Sequence, residues 1–384
     1  MAPHAISDVS DDSGYTPKFF KGSLGQHETY PPLGETHSVD SLGESKLRKA
    51  LQEPSYILLL SESEIREIEE GVVTFLDRNA PLHEVNPRTF PLPTLGARLR
   101  KASETIHDQN AGVVLFRGLE PKLYSRKANV IIHSGLASYI GEKRAMPGSG
   151  GGDKTVLHHI TDLPIPTAGE YYGPPSQTRS MPMHTDNGDI VSLYTLQCGA
   201  SGGSTYLANV QYTFARMQQH QPALAKIVTE PWVMMSGSEA VPFVKRPILF
   251  AGKDGVVVNC PRARITGTQS RPRSASLPPL EAAQMLALDA LHAAAMDCAI
   301  KVDLLPGDLL FFNNLGMLHA RDAFVDNVEV GQKRHLLRIL LRNESRAWGL
   351  PGALEETWLS LYDHPTEQEA FPLKEELFTW AMSH

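Results

Sequence analysis

The chain has 384 residues, 41% of them hydrophobic and 21% charged, a composition typical of a folded globular protein with a sizeable core. A net charge of −7 without a long basic run argues against nucleic acid and anionic membranes as partners. No apolar run reaches the ~18 residues of a membrane-spanning helix, the N-terminus lacks the features of a signal peptide, and three scattered cysteines (Cys198, Cys260, Cys298) indicate a reducing compartment, so we expect a cytoplasmic protein.

The first third of the chain predicts an arm followed by helices. Residues 1–55 are rich in Ser, Gly, Pro, Asp and His with little periodicity, which predicts a poorly ordered N-terminal arm. Residues 56–384 are expected to form a single catalytic domain. Apolar spacing predicts helices over 61–79, 94–109 and 122–141, and a compact strand over 112–118. The Gly-rich segment 146–153 lacks the Lys-Ser/Thr of a phosphate loop, so a linker is expected there.

Strands dominate the middle of the chain. Apolar runs predict strands over 190–196, 309–312 and 335–341, extended chain over 232–236, and a hairpin over 248–259 that turns at Asp254-Gly255. Helices are predicted over 210–228 and 278–299. The tail from Trp348 mixes Pro with short helical stretches, and no internal repeat is visible. These patterns indicate a mainly β domain with flanking helices.

An imidazole and a carboxylate stand two residues apart, at His184 and Asp186, just before the apolar run at Ile190. Residues i and i+2 of a strand share one face, so the two side chains are expected to lie side by side. A third ligand is available from His319, which follows another apolar run. Two His and one carboxylate with open positions form the facial triad of non-haem Fe(II) oxygenases.

A basic strand, Arg334 to Arg342, carries the second signal. Arg334, Arg338 and Arg342 fall on one face of this apolar strand. A guanidinium on a covered face must be paired, since leaving a charge unpaired is costly, and its planar fork fits a carboxylate. The partner is either an anion bound by the protein or one of the chain's own Asp or Glu residues.

Three motifs together resemble the taurine dioxygenase/TfdA family of Fe(II)- and 2-oxoglutarate-dependent oxygenases, to which clavaminate synthase is related. The motifs are Met183-His-Thr-Asp-Asn, then Gly307-Asp-Leu-Leu-Phe-Phe-Asn-Asn-Leu-Gly-Met-Leu-His-Ala-Arg-Asp, and Arg334-His-Leu-Leu-Arg. The resemblance runs from roughly Tyr56 to Trp348. It implies a double-stranded β-helix (jelly roll) core with helices packed outside it.

The resemblance also implies roles for individual residues. His184, Asp186 and His319 correspond to the iron ligands. Arg334 matches the arginine that holds the distal carboxylate of 2-oxoglutarate, and Thr205 matches a threonine that contacts the same cosubstrate.

Substrate-binding residues are implied at two further places. Arg338 matches an arginine that grips an acidic group of the substrate in relatives. His159 falls where taurine dioxygenase has a substrate-contacting His, although His158 fits the position equally well. The loop 259–268 is expected to border the pocket, and its neighbouring arginines are Arg262, Arg264, Arg271 and Arg273.

The expected function is oxidation of an unactivated C–H bond of a small molecule, with Fe(II), 2-oxoglutarate and O2 as cofactors and succinate and CO2 as coproducts. Hydroxylation is the default outcome, and desaturation or ring closure uses the same chemistry. The substrate is expected to be a small acid, an amino acid or a natural-product precursor. Two alternatives stay open, a Zn(II) hydrolase that uses the same His/Asp/His triad and a non-enzymatic β-sandwich binding protein. A homo-oligomeric assembly is also left open.

Overall fold

The computed structural model describes residues 56–108, 112–147, 153–163, 177–236, 242–268 and 272–375. The predicted arm (1–55), Arg271 of the basic loop and residues 148–152 of the predicted linker lie outside these ranges. None of the helices within them is long and apolar enough to cross a membrane.

The strands are numbered in chain order. They are β1 (Ile57–Leu59), β2 (Val113–Arg117), β3 (Lys143–Arg144), β4 (Leu157–Thr161), β5 (Met181–His184), β6 (Ile190–Gln197), β7 (Ser201–Gly202), β8 (Thr205–Asn209), β9 (Trp232–Met235), β10 (Phe243–Arg246), β11 (Leu249–Gly252), β12 (Gly255–Val258), β13 (Ile300–Val302), β14 (Leu309–Asn313), β15 (Met317–Arg321), β16 (Phe324–Val325) and β17 (His335–Arg342).

The α-helices are numbered in the same way. They are α1 (Glu62–Asp77), α2 (Leu95–His107), α3 (Arg126–Ser138), α4 (Val210–His220), α5 (Pro222–Ile227), α6 (Arg262–Thr266), α7 (Ala282–Cys298) and α8 (Gly352–Leu359). Short 3-10 turns span Leu82–Glu84, Pro121–Leu123, Val328–Val330 and Thr366–Gln368.

A large sheet forms the frame of the molecule. Its strands lie in the order β1-β2-β14-β6-β17-β3, and β4 also pairs with β17. All neighbours are antiparallel except β1 and β2. Strands β14 and β17 are buried along almost their whole length, as their largely apolar sequences predict for covered strands.

A smaller sheet faces the first one. Its order is β13-β8-β15-β5, all antiparallel. Alternate residues of β14 show the layers: Phe311 packs with α1–α3 outside the large sheet, whereas Phe312 packs inward with Leu207 and Met317 of the small sheet. Helices α4, α5 and α7 cover the small sheet. Two facing antiparallel sheets with helices outside them are the predicted mainly β jelly roll, and the structural neighbours described below confirm it.

The predicted elements occur where apolar periodicity was strong. Helix α1 begins with a capping box, in which the Ser61 hydroxyl accepts from the Glu64 N–H and the Glu64 carboxylate accepts from the Ser61 N–H. The single helix expected over 210–228 is two helices, because the chain leaves the helical region at Gln221, before Pro222. The two-residue strands β3, β7 and β16 were not predicted, and neither were β4, β5 and β15, which carry candidate histidines.

Candidate metal centre

The predicted triad is assembled from two neighbouring strands and one turn. His184 ends β5 and His319 lies within β15, and the two residues are directly opposite each other in the antiparallel pair. Asp186 lies in the connection between β5 and β6, so the turn, and not a shared strand face, brings its carboxylate to His184. One ligand atom from each residue lies within 4.8 Å of the others. The distances from Asp186 are 3.9 Å (Oδ1) to His184 Nε2 and 4.0 Å (Oδ2) to His319 Nε2.

The protonation of these groups suits a divalent metal. Burial lowers the pKa of His319 to about 3 and also lowers that of His184, so both rings are neutral at physiological pH. The Nδ1–H of His184 donates to the Pro182 carbonyl (2.8 Å), which leaves the Nε2 lone pair directed at the cluster. Burial favours the neutral form of Asp186, but nearby Arg338, His319 and His184 lower its pKa to about 2.

Arg338 contributes its charge to this cluster. Its Nη1 donates to Asp186 Oδ2 at 2.8 Å, so one partner of this arginine is an acid of the chain itself. Its Nε is buried and has no hydrogen-bond partner among the described residues. Of the two kinds of partner that the sequence left open, the structure shows an acid of the chain: Arg338 pairs with Asp186. Its Nε can donate to a second acceptor, so binding of a substrate acid stays a prediction.

Arg342, four residues further along β17, is a structural residue. Its Nη1 donates to Asp189 Oδ2 at 2.5 Å, and Asp189 Oδ1 accepts from the Trp358 indole at 2.7 Å. The Tyr362 hydroxyl accepts from the Asp189 N–H at 2.8 Å. This network ties α8 to the connection that carries Asp186.

Arg334 lies just before β17 and is 6% exposed. Its Nη1 has no hydrogen-bond partner in the described part of the chain, and its guanidinium lies 5.3 Å from the ring centroid of Phe324. Burial lowers the pKa of Arg334 to about 10, so the group stays charged at neutral pH. Gly203 leaves room for this side chain: a Cβ at Gly203 would stand 2.9 Å from Arg334 Nε.

Thr205 lies on the same face of the small sheet as His319. Antiparallel partners share a face, and the β8–β15 register pairs His319 with Leu207 and Thr205 with Arg321. Thr205 is therefore two residues from the partner of His319 and two residues from Gly203, which contacts Arg334. The register therefore places Thr205 on the sheet face that carries His319 and close in sequence to the glycine beside Arg334.

The two candidate histidines of β4 point to opposite faces. The register pairs His158 with Arg338 and His159 with Leu337. The His159 ring donates from Nε2 to the Pro372 carbonyl (2.9 Å) and its Nδ1 lies 2.8 Å from His335 Nε2. The expectation that His159 contacts the substrate does not fit this placement, and His158 is the histidine on the side of the cluster.

The loop 259–268 runs beside the metal-binding segment. Two hydrogen bonds join Cys260 to Thr185. The Cys260 carbonyl accepts from the Thr185 N–H at 3.0 Å, and the Cys260 N–H donates to the Thr185 hydroxyl at 2.8 Å. Arg262 pairs with Asp289, and Arg273 donates to three backbone carbonyls, so these two arginines hold the loop.

Sequence reasoning gave no role to two buried residues of the His319 motif. Arg321 lies opposite Thr205, and its Nη2 donates to the Gln177 and Arg179 carbonyls. Asn314 is fully buried and bonds to the connection that carries Asp186. Both residues belong to the Gly307 to Asp322 motif, so the motif was the sequence feature that could have identified them.

A jelly roll that places two histidines and a carboxylate together between its sheets defines the class of non-haem metal oxygenases. The family model described as "Taurine catabolism dioxygenase TauD, TfdA family" matches residues 78–340. The taurine hydroxylase-like protein SAT17 of Stachybotrys chartarum is 33% identical over 325 residues, which cover 83% of each chain. The chain belongs to the TauD/TfdA family.

Solved structures agree at the level of the fold. Asparagine oxygenase (AsnO) matches with a TM-score of 0.58 and 17% identity over 76% of this chain and 94% of that one. The iron oxygenase OrfP, in complex with Fe and alpha-ketoglutaric acid, matches with a TM-score of 0.53 and 16% identity over 74% and 93%. Family membership makes the protein a non-haem Fe(II)- and 2-oxoglutarate-dependent dioxygenase, as predicted.

Proposed function

We propose that His184, Asp186 and His319 hold Fe(II), that Arg334 and Thr205 bind the distal carboxylate of 2-oxoglutarate, and that the enzyme oxidises a C–H bond of a small molecule. The observation that carries the proposal is a partly buried His/Asp/His cluster together with the buried guanidinium of Arg334, whose Nη1 has no hydrogen-bond partner among the described residues.

The residues fit the metal and the cosubstrate. Two neutral imidazoles and one carboxylate are the donor set of non-haem Fe(II), and the three ligand atoms lie within 4.8 Å of one another. A charged Arg334 in an apolar setting favours an anion, and its fork suits the two oxygens of a carboxylate.

Bound Fe(II) and 2-oxoglutarate supply the oxidation, in which O2 converts the oxo acid to succinate and CO2 and a C–H bond of the substrate is oxidised. The protein's part is positional. Arg338 keeps Asp186 ionised and directs its Oδ2. Hydroxylation is the proposed outcome.

The substrate is proposed to be a small acid of the amino-acid type. Arg338 Nε has no partner among the described residues and can donate to a carboxylate, and His158 lies opposite Arg338 in the β4–β17 pair. Asparagine oxygenase, solved with 3-hydroxyasparagine and succinate, and OrfP, solved with (3S)-hydroxy-L-Arg and succinate, share the fold and bind hydroxylated amino acids. No observation favours the hydrolase or the non-enzymatic binding protein, since neither gives Arg334 a role.

The test combines two measurements on the purified protein. Anaerobic addition of Fe(II) and 2-oxoglutarate should give the weak visible charge-transfer band of a chelated oxo acid, and aerobic incubation should release succinate. His319→Ala should abolish both signals.

Arg334→Ala should raise the 2-oxoglutarate concentration required for half-maximal succinate release by roughly 10- to 100-fold, because a charge-assisted contact contributes about 1.5–3 kcal/mol. Arg346→Ala, at an exposed ion pair with Glu104, is the control and should change neither. Succinate release by His319→Ala at the wild-type rate would refute the proposed site.

A further inference from the structure

Asn314 occupies the turn between β14 and β15 and is completely buried. Its side-chain Oδ1 accepts from the Asp186 N–H at 3.0 Å, and its Nδ2 donates to the Asp186 and Gly188 carbonyls at 2.8 and 2.6 Å. Its backbone N–H donates to the Asp189 carbonyl at 2.8 Å. One amide side chain therefore satisfies both backbone groups of Asp186.

Asn314 connects the segment of Asp186 to the strand that carries His319. The turn leads directly into β15, where His319 follows five residues later. Asp186 is 128 residues away in the sequence and lies outside any strand, so no sheet hydrogen bond fixes its backbone. The hairpin β14–β15 thus carries one ligand of the cluster and holds the backbone of another.

We propose that Asn314 is a positioning residue, which sets the distance between the Asp186 carboxylate and the His319 imidazole and so tunes the affinity for the metal. The inference rests on the proposed function of the cluster as a metal site. Groups that orient a metal ligand typically change metal affinity by roughly 10- to 100-fold when they are replaced. The Asn314 amide is such a group, although it acts on the ligand's backbone and not on its side chain.

The neighbouring residue, Asn313, provides a matched control. Asn313 is also buried, and its Oδ1 accepts from the Leu315 and Gly316 N–H groups at 3.0 and 3.2 Å. These bonds shape the same turn, but they do not reach the segment of Asp186. Asn313→Ala therefore tests the turn alone, and Asn314→Ala tests the turn and its hold on Asp186 together.

A second variant keeps the volume of the side chain. Asn314→Asp retains an oxygen for the Asp186 N–H but replaces the Nδ2 donor with a carboxylate oxygen that faces the carbonyls of Asp186 and Gly188. The mutual repulsion should push the segment away from the turn. This variant separates loss of position from loss of packing.

The experiment is a titration with Co(II), whose visible absorption reports the ligand set without turnover, together with thermal unfolding of each apoprotein. Asn314→Ala and Asn314→Asp should bind Co(II) roughly 10- to 100-fold more weakly than wild type and with an altered spectrum. Asn313→Ala should bind Co(II) with the affinity of wild type, even if its melting temperature falls as far as those of the Asn314 variants.

The outcomes separate the inference from the function on which it rests. If wild type did not bind Co(II), or if His184→Ala bound it as tightly as wild type, the proposed metal site itself would be contradicted. A normal metal site in which the Asn314 variants bind like wild type, or lose no more affinity than Asn313→Ala, would overturn the positioning role alone. So would failure of both Asn314 variants to fold while Asn313→Ala folds, since Asn314 would then serve the fold in general.

Discussion

Arg338 serves two acids in the proposed site, one belonging to the chain and one to the substrate. Its Nη1 is bound to Asp186, whereas its Nε has no partner in the described ranges. The guanidinium has five N–H donors in a rigid fork, so a single arginine can hold two carboxylates at its different edges. A lysine has a compact charge without this fork and cannot reproduce both contacts.

With Fe(II) in excess, so that loss of the contact with Asp186 does not leave the metal site empty, we expect Arg338→Met to retain 2-oxoglutarate binding and slow succinate release but to form less product from the amino-acid substrate found by screening wild type. The lost contact should raise the KM for that substrate by roughly 10- to 100-fold, since a hydrogen bond to a charged group contributes about 1.5–3 kcal/mol. The measurement is the ratio of product to succinate. Arg338→Lys should recover part of it. A normal ratio accompanied by weaker metal binding would restrict Arg338 to its pairing with Asp186.

The elements of the fold show what the sequence could predict and what it could not. The motifs that contain His184 and His319 were visible, as were the apolar runs that follow the first and precede the second, but the strands β5 and β15 that carry the two residues and place them opposite each other were not predicted. Asp186 was expected on a strand face, but it reaches the cluster through a turn held by Asn314. That contact joins residues far apart in sequence, and local periodicity contains no information about it.

The arginines of β17 illustrate the same limit. Alternation along the strand correctly predicted a shared face for Arg338 and Arg342. Whether each charge meets a ligand or an acid of the chain depends on the connection between β5 and β6, which supplies Asp186 and Asp189. The choice between His158 and His159 was likewise open until the β4–β17 register was known.

Helix α8 is anchored to the metal-binding segment through Asp189, a few residues after Asp186. Burial raises the pKa of Asp189, although Arg342, Trp358 and Tyr362 oppose this by stabilising the anion. A carboxylate so poorly solvated depends on each of its donors. The indole of Trp358 is one of them, and it is 1% exposed.

Trp358→Phe should lower the free energy of unfolding by about 1.5–3 kcal/mol through loss of a hydrogen bond to a charged group. Trp348→Phe is the matched control, because the Trp348 indole is also buried but donates to a neutral acceptor, the His107 carbonyl at 2.8 Å. Its hydrogen bond should account for only about 0.5–1.5 kcal/mol. Denaturant unfolding of both variants measures the difference, and equal losses would contradict a special role for the charged acceptor.

At the scale of the whole molecule, the interior holds several histidines in the neutral form. Burial lowers the pKa of both His133 and His319 to about 3, and burial next to His159 lowers that of His335 to about 4. His133 lies on α3 against the large sheet, with its Nε2 2.7 Å from the Ser192 hydroxyl, and is fully buried. In the unfolded chain each of these rings has a pKa near 6.5.

The stability of the apoprotein should therefore fall as the pH decreases below about 6.5, because the unfolded state then binds protons that the folded state excludes. The loss from His133 continues down to its folded pKa of about 3 and amounts to at most about 1.4 kcal/mol per pH unit. Free energies of unfolding should be measured between pH 7 and pH 5 in the presence of a chelator, where most carboxylates remain ionised. His133→Gln should reduce the slope of stability against pH by about that amount over the lower part of this range, whatever its effect on stability at pH 7. An unchanged slope in this variant would mean that His133 is protonated in the folded protein.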